Sequence, residues 1–417
     1  MTALAVLSMH TSPLAQPGTA DAGGMNVYVR RLASALARSG VRCEVYTRRE
    51  HPGQPSSLWV EPGLRAHHVD AGPAAPVGKQ ELFGLVESWT AGVAASLVEL
   101  RAGGDAVDLI HGNYWLSAAA GHALKHALDL PLVTTFHTLQ RAKEEAGEGE
   151  ADPGGRRAAG EAAAIGCSDA VLASAPEEVE QLVRLYSADR DRVETISPGV
   201  DHAFFSPGDQ AQARRAVRLP ASVPLIAFVG RIQPLKGLVT AIAALGHLAE
   251  HGSRGAEAEL VVIGGPSGPS GQQELGRALA LARDRGLSGR VRLFDPQPHE
   301  VLSTYYRAVD AVVVPSRSES FGLVALEAAA CGTPVVASAI GGLSHLVDHG
   351  RTGFLAPPDD AAAFAHYLSE LLADRALARL MGGAARERAA GFTWAAAAQR
   401  MAELAEVLTG RTLVSCT

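Results

Sequence analysis

Arg231 and Lys236 stand five residues apart in the string Phe228-Val229-Gly230-Arg231-Ile232-Gln233-Pro234-Leu235-Lys236-Gly237. A cation at the end of a predicted strand and a second at the start of the next helix can converge on one diphosphate. As plain surface cations they fit poorly, because they flank a glycine-rich turn at the carboxyl end of a strand. Glu319 and Glu327 are the matching acidic pair in Pro315-Ser316-Arg317-Ser318-Glu319-Ser320-Phe321-Gly322-Leu323-Val324-Ala325-Leu326-Glu327. On one continuous helix they would be about 12 Å apart at 1.5 Å per residue, too far to share one reacting atom. They must serve different parts of a ligand. Ser320, Phe321, Gly322 and Leu323 read as the opening of the helix, with backbone N–H groups available to a ligand.

A second set lies near the N-terminus. His10 ends the first predicted strand, and the loop from Thr11 to Asp21 runs into Ala22-Gly23-Gly24-Met25-Asn26 before a helix. Paired glycines at a helix start let backbone approach an anion. The pattern is not G-x-G-x-x-G, and no acidic residue closes the second strand, Cys43-Glu44-Val45-Tyr46-Thr47, so a dinucleotide oxidoreductase is disfavoured. His137, in Phe136-His137-Thr138, reads on its own as a structural histidine at a strand end.

These residues need scaffolding. Short apolar runs at 4–9, 43–47, 108–111, 132–136, 170–174 and 193–196 alternate with helical stretches, and the pattern restarts at 225–229, 260–263, 291–294, 311–314 and 334–337. Such alternation predicts βαβ units around parallel sheets. A Pro, Gly and Asp-rich segment over 197–209 separates the two halves. The chain has 417 residues, more than one core usually supports. The expected fold class is therefore α/β, with two Rossmann-like doubly wound domains facing across a cleft where the sheets' carboxyl ends would hold a ligand. The predicted domains are 1–200 and 201–393, followed by a C-terminal helix over 394–417 that can pack back on the first.

Composition narrows the partners. Against 44 Asp plus Glu there are 37 Lys plus Arg, a net charge of −7 with no basic stripe, which disfavours a nucleic-acid or anionic-membrane partner. No secretory leader and no membrane-length apolar run is read from the sequence, so a cytoplasmic protein is expected. Cys43, Cys167, Cys331 and Cys416 lack C-x-x-C spacing and predict neither a zinc knuckle nor a disulfide framework, the first three reading as buried small residues. Lysine occurs only at Lys79, Lys125, Lys143 and Lys236, which makes each worth attention.

Together these strings resemble the retaining glycosyltransferases of the GT-B fold that carry a Glu-x7-Glu motif with an upstream Arg and Lys. The similarity runs from the first strand to Phe392-Thr393-Trp394. His10-Thr11-Ser12-Pro13-Leu14, the segment from Gly18 to Val29, and Gly264-Gly265-Pro266-Ser267-Gly268 look much like the inositol-phosphate glycosyltransferases of mycothiol biosynthesis. The resemblance implies that Arg231 and Lys236 hold the diphosphate of a UDP-sugar, best matched by UDP-N-acetylglucosamine, and that Glu327 takes the ribose hydroxyls. Glu319 and the N–H groups of Ser320, Phe321, Gly322 and Leu323 would hold the transferred sugar, while Gly24 approaches the donor phosphates. His10, Asn26, Lys79, Tyr114, Thr138 and Arg157 match positions that grip inositol 3-phosphate, and His137 would lie near the transferred sugar. Glu319, Arg231, Lys236 and His137 are the expected catalytic set.

The implied mechanism is retention without a protein nucleophile, the departing diphosphate oxygen taking the acceptor proton on the same face. No tightly bound cofactor and no protein metal site are implied; Mg2+ can accompany the diphosphate of the nucleotide-sugar donor. The expected partners are a small-molecule donor and acceptor, with a homodimer left open. Gly112-Asn113 before Tyr114-Trp115, Arg141-Ala142-Lys143-Glu144-Glu145 after Thr138, and Gln297 in Asp295-Pro296-Gln297-Pro298 depart from the family pattern. They leave open a paralogue glycosylating an antibiotic-pathway intermediate or a small thiol. A sugar-nucleotide epimerase or a non-catalytic binder is the alternative of a different class.

Overall fold

The computed structural model describes residues 2–18, 22–147, 152–250, 254–268 and 270–416. The first sheet comprises β1 (Ala3–Leu7), β2 (Arg42–Arg48), β3 (Ser57–Glu61), β4 (Leu64–Val69), β5 (Leu109–Asn113), β6 (Leu132–Thr135), β7 (Ala170–Ala173) and β8 (Val193–Thr195). Its order is β3-β4-β2-β1-β5-β6-β7-β8, parallel throughout except for the antiparallel β3 and β4 pair. The second sheet comprises β9 (Leu225–Val229), β10 (Glu259–Ile263), β11 (Val291–Phe294), β12 (Ala311–Val314), β13 (Val335–Ser338) and β14 (Gly353–Ala356). It is wholly parallel, in the order β11-β10-β9-β12-β13-β14.

Both central strands are apolar along their length, as burial on two faces demands: every residue of β1 and of β12 is buried. Chain order reverses beside β1, which lies between β2 and β5, and beside β9, which lies between β10 and β12. At such reversals, open α/β sheets leave room for ligands outside the strands' carboxyl ends. His10 follows β1, Tyr114 follows β5, Arg231 follows β9 and Glu319 follows β12.

Three strands escape the sequence reading. The hairpin of β3 and β4 is hidden because β4 reads Leu64-Arg65-Ala66-His67-His68-Val69. Its Arg65 and His67 hold the fully buried Glu44 of β2, at 2.8 Å and 2.6 Å, so polar residues face inward where apolar ones would signal a strand. Edge strand β14 is only four residues and opens on glycine.

The chain forms two compact units. One takes 1–15, 24–199 and 394–417, the other 16–23 and 200–393. The final helix, Trp394–Thr409, packs in the first unit against the helix Gly24–Arg38. Trp394 lies edge-on to Tyr28, with ring centroids 6.0 Å apart, and Arg400 pairs with Glu194 at 3.0 Å. Within the second unit Val200, just after the chain enters, bridges to Thr393, just before it leaves.

The cysteines correct one expectation. Cys167 and Cys416, 249 residues apart, are joined as a disulfide. Their isolation in sequence conceals this, because the end of one helix and the C-terminal tail meet only in the fold. Cys43 and Cys331 are buried free thiols. Among the described residues no helix is long and apolar enough to cross a membrane.

Candidate active site

In the second unit, β9 delivers Arg231 and then a 3-10 turn, Pro234–Lys236. Gly237 closes that turn at φ +73°, where a Cβ would stand 2.0 Å from the Pro315 carbonyl oxygen. Only glycine lets the turn press onto the end of β12. Arg317 N donates to Leu235 O at 2.8 Å, fastening the two loops together. Lys236 Nζ consequently sits 2.6 Å from Glu319 Oε2, with Ser316 Oγ on the same oxygen at 3.5 Å.

The helix carrying Glu327 is Leu323–Ala330. It starts later than the sequence suggests: Ser320, Phe321 and Gly322 precede it, and Gly322 at φ +105° is its N-cap. Glu319 therefore lies on a loop. That loop is fixed from the side, where Gly342 N donates to Glu319 O at 3.2 Å and a Gly342 Cβ would come within 2.3 Å of Phe321 Cα. Leu323 is the first helical residue and Phe321 is buried.

Glu327 is 5% exposed and held by two residues of one neighbouring helix, His299–Ala308. Tyr306 Oη donates to Glu327 Oε2 at 2.8 Å, and His299 Nε2 meets Oε1 at 2.7 Å. Burial, reinforced by the adjacent carboxylate, pushes the Tyr306 hydroxyl well above its ordinary range, so it stays a donor. Arg231 Nη1 reaches Ser267 Oγ at 3.4 Å, and Gly23 lies against it, a Cβ there falling 3.0 Å from Nε.

In the first unit, Tyr114 opens the helix Tyr114–Leu128 at φ +71°, a left-handed conformation that costs an ordinary residue about 1–2 kcal/mol. The twist sets its ring 4.9 Å from that of His10 and 5.0 Å under the Arg157 guanidinium. Arg157 comes from the helix Arg156–Cys167 and is 7% exposed. Its Nε pairs with the fully buried Glu161 at 2.7 Å, and its Nη2 donates to Thr138 O at 2.8 Å and Thr138 Oγ1 at 3.0 Å.

His137, at φ +60°, meets Asn113 Oδ1 through Nε2 at 2.9 Å, and Tyr28 approaches edge-on at 4.8 Å. Asn113 Nδ2 points to His111 O at 3.4 Å, which turns Oδ1 toward the histidine. Burial, with His111 nearby, lowers the His137 imidazole to about 3, so it is neutral at physiological pH.

The fold thus gathers His10, Tyr114, Thr138 and Arg157. Asn26 is 1% exposed and binds Thr11 Oγ1 at 2.9 Å and Ser12 O at 2.7 Å, stapling the loop after β1. Gly24 is the first residue of the helix Gly24–Arg38, and Lys79 the first of Lys79–Leu82. Thr19, Ala20 and Asp21 of the glycine motif lie outside the described residues. His299, Tyr306 and Glu161 are not legible as site residues, because nothing in their local spacing marks them, while Ser267 is visible only as part of the string Gly264-Gly265-Pro266-Ser267-Gly268. Asn113 was visible only as a departure from the family pattern.

Residues 209–388 match the model for glycosyl transferases group 1, and residues 22–204 that for glycosyltransferase family 4. The chain is 45% identical over 401 residues to a D-inositol 3-phosphate glycosyltransferase of Nocardia farcinica, covering 96% of this chain and 88% of that one. A protein of the same name from Xylanimonas cellulosilytica is 44% identical over 409 residues, covering 96% and 95%. The chain belongs to the group 1 glycosyltransferases. Among solved structures, sucrose-phosphate synthase from Thermosynechococcus elongatus superposes with a TM-score of 0.89 at 34% identity, covering 98% of this chain and 99% of that one. Anabaena HepE in complex with UDP-glucose superposes at 0.77 with 19% identity, covering 98% and 100%, and shares the fold. As a group 1 glycosyltransferase of the GT-B type, the chain is an enzyme that transfers glycosyl groups.

Proposed function

We propose that this glycosyltransferase moves a sugar, with retention, from UDP-N-acetylglucosamine to inositol 3-phosphate. The contact between Lys236 and Glu319 at 2.6 Å carries the reading of the donor site. A lysine held by a carboxylate presents a fixed positive charge to a departing diphosphate, and the carboxylate keeps lone pairs for a sugar hydroxyl. Arg231 supplies the second cation. Glu327, oriented by Tyr306 and His299, offers its remaining lone pairs to the ribose.

Retention is the outcome expected from the family resemblance, and these groups are compatible with it. Glu319 is paired with Lys236 and His137 is a neutral hydrogen-bonding group, which supports a step in which the leaving oxygen itself takes the acceptor proton while the new bond forms on the same face. Mg2+ arriving on the diphosphate would be carried by the donor, since the described residues gather no cluster of His, Cys, Asp or Glu around Arg231 and Lys236. Charged, phosphorylated substrates suit a cytoplasmic enzyme.

For the acceptor, the names of the relatives supply the support: two act on inositol 3-phosphate and one makes a sucrose phosphate. Among the described residues none accepts from Nη1 of Arg157, which leaves that nitrogen for a phosphate oxygen beside Tyr114 and Thr138. Incubation with a panel of nucleotide sugars against inositol phosphate, inositol, sugar phosphates and small thiols, read by product mass, tests the assignment. Transfer to a thiol alone, or to none, would favour the paralogue or the binder.

Tyr306→Phe probes the ribose contact. Removing one donor from a buried carboxylate costs about 1–3 kcal/mol, so the melting temperature should fall by several degrees. The donor KM should rise more than kcat falls, since the ribose does not react. An unchanged donor KM would remove Glu327 from the nucleotide site.

A further inference from the structure

The helix that begins at Tyr114 carries His122 and His126, one turn apart on the same face, with ring centroids 5.2 Å apart. The two imidazoles converge on the sulfurs of Cys167 and Cys416. Nε2 of His126 is 3.1 Å from Cys416 Sγ and 3.3 Å from Cys167 Sγ, and the ligand atoms of all four residues lie within 4.8 Å of one another. A disulfide between the cysteines needs neither histidine. The donor set, two imidazoles and two thiols with no carboxylate, is that of structural zinc sites, with the i, i+4 histidine spacing that places two rings on one metal.

The surroundings are already braced. Cys167 ends the helix Arg156–Cys167 and is buried, and its carbonyl accepts from Lys125 Nζ at 2.8 Å. Lys125 also pairs with Asp169 Oδ2 at 2.8 Å, while Asp169 Oδ1 accepts from Val414 N at 2.7 Å. The tail is thus anchored two residues before Cys416, independently of its sulfur.

We propose that His122, His126, Cys167 and Cys416 form a tetrahedral site for a divalent cation of the zinc class, which pins the C-terminal tail to the first α/β unit. The disulfide is the oxidised form of the same cluster. A dithiol reductant opens it by two-electron exchange, becoming a disulfide itself and leaving one proton on each cysteine sulfur. Zn2+ binding then releases those two protons to solvent.

The test uses the full chain, reduced with a dithiol and desalted without oxygen, then titrated with Co2+ and Zn2+. One Co2+ per chain should bind with tetrahedral visible bands and thiolate charge transfer, and an equivalent of Zn2+ should displace it. Cys416→Ser and His122→Ala should each weaken binding by at least about a hundredfold. Both changes lie outside the transfer machinery, so glycosyl transfer should persist and show that the variants fold. Absence of stoichiometric binding by the reduced chain would overturn the proposal, as would bands unchanged in Cys416→Ser. Re-formation of the disulfide under equimolar Zn2+, seen as a mass two hydrogens lower, would overturn it too.

Discussion

Lys236→Ala should lower kcat/KM by about a hundredfold or more with little change in thermal stability. A hydrogen bond to a charged group contributes about 1.5–3 kcal/mol, and each 1.36 kcal/mol is tenfold in rate. Two effects push the loss toward the upper end. In the proposed donor site the lysine would face charge that grows as the diphosphate leaves, and its removal strips Glu319 of its counter-ion at 2.6 Å, which would leave a carboxylate beside the phosphates. Stability should hold because both side chains are only partly buried, at 23% and 20% exposure, where an ion pair adds little to folding. Steady-state kinetics on the variant, with a melting curve as control, decide the matter. An unchanged kcat/KM would show that Lys236 and Glu319 are a surface pair unconnected with the donor.

Inositol 3-phosphate should be preferred over inositol by roughly several hundredfold in kcat/KM. Arg157 and Lys79 would each contribute a charge-assisted contact of about 1.5–3 kcal/mol, forfeited when the phosphate is missing. The structure dictates which variant can test this. Arg157→Ala would leave Glu161, at 0% exposure, without its cation and held only by Gln140 N and Tyr186 Oη, a loss of about 3–5 kcal/mol that threatens the fold itself. Arg157→Lys keeps a charge beside Glu161 but cannot reach it, Thr138 and a phosphate oxygen together. It should therefore erase most of the preference for the phosphorylated acceptor while leaving UDP affinity intact. Equal rates with both acceptors in the unaltered protein would assign Arg157 a purely structural role.

Legibility in the sequence tracks how local each feature is. The central strands are written in continuous apolar runs, so β1, β9 and β12 can be read directly, and with them the loops that carry Arg231, Lys236 and Glu319. The edge strands β8 and β11 are equally legible, whereas β3, β4 and β14 are not. In β4, Arg65 and His67 face Glu44 and break the apolar pattern that would mark a strand. The sequence reveals the helix bearing Glu327 but not its start at Leu323, since Ser320 to Gly322 are held ahead of it by the tight approach of Gly342. His299 and Tyr306 lie 28 and 21 residues before Glu327 in the chain, and only the packing of two helices reveals them as its partners. The meeting of Cys167 and Cys416 across 249 residues is similarly tertiary.

Glycosyl transfer is tested most directly by a measurement that combines product mass with anomeric configuration. The protein is incubated with UDP-N-acetylglucosamine and inositol 3-phosphate, and the purified product is examined by mass spectrometry and by the anomeric proton coupling in NMR. The predicted result is one N-acetylglucosaminyl inositol phosphate whose glycosidic bond has the same α configuration as the donor, formed with stoichiometric release of UDP. A β-linked product would contradict retention. UDP-sugar interconversion without transfer, or no turnover with any phosphorylated acceptor, would contradict the proposed reaction.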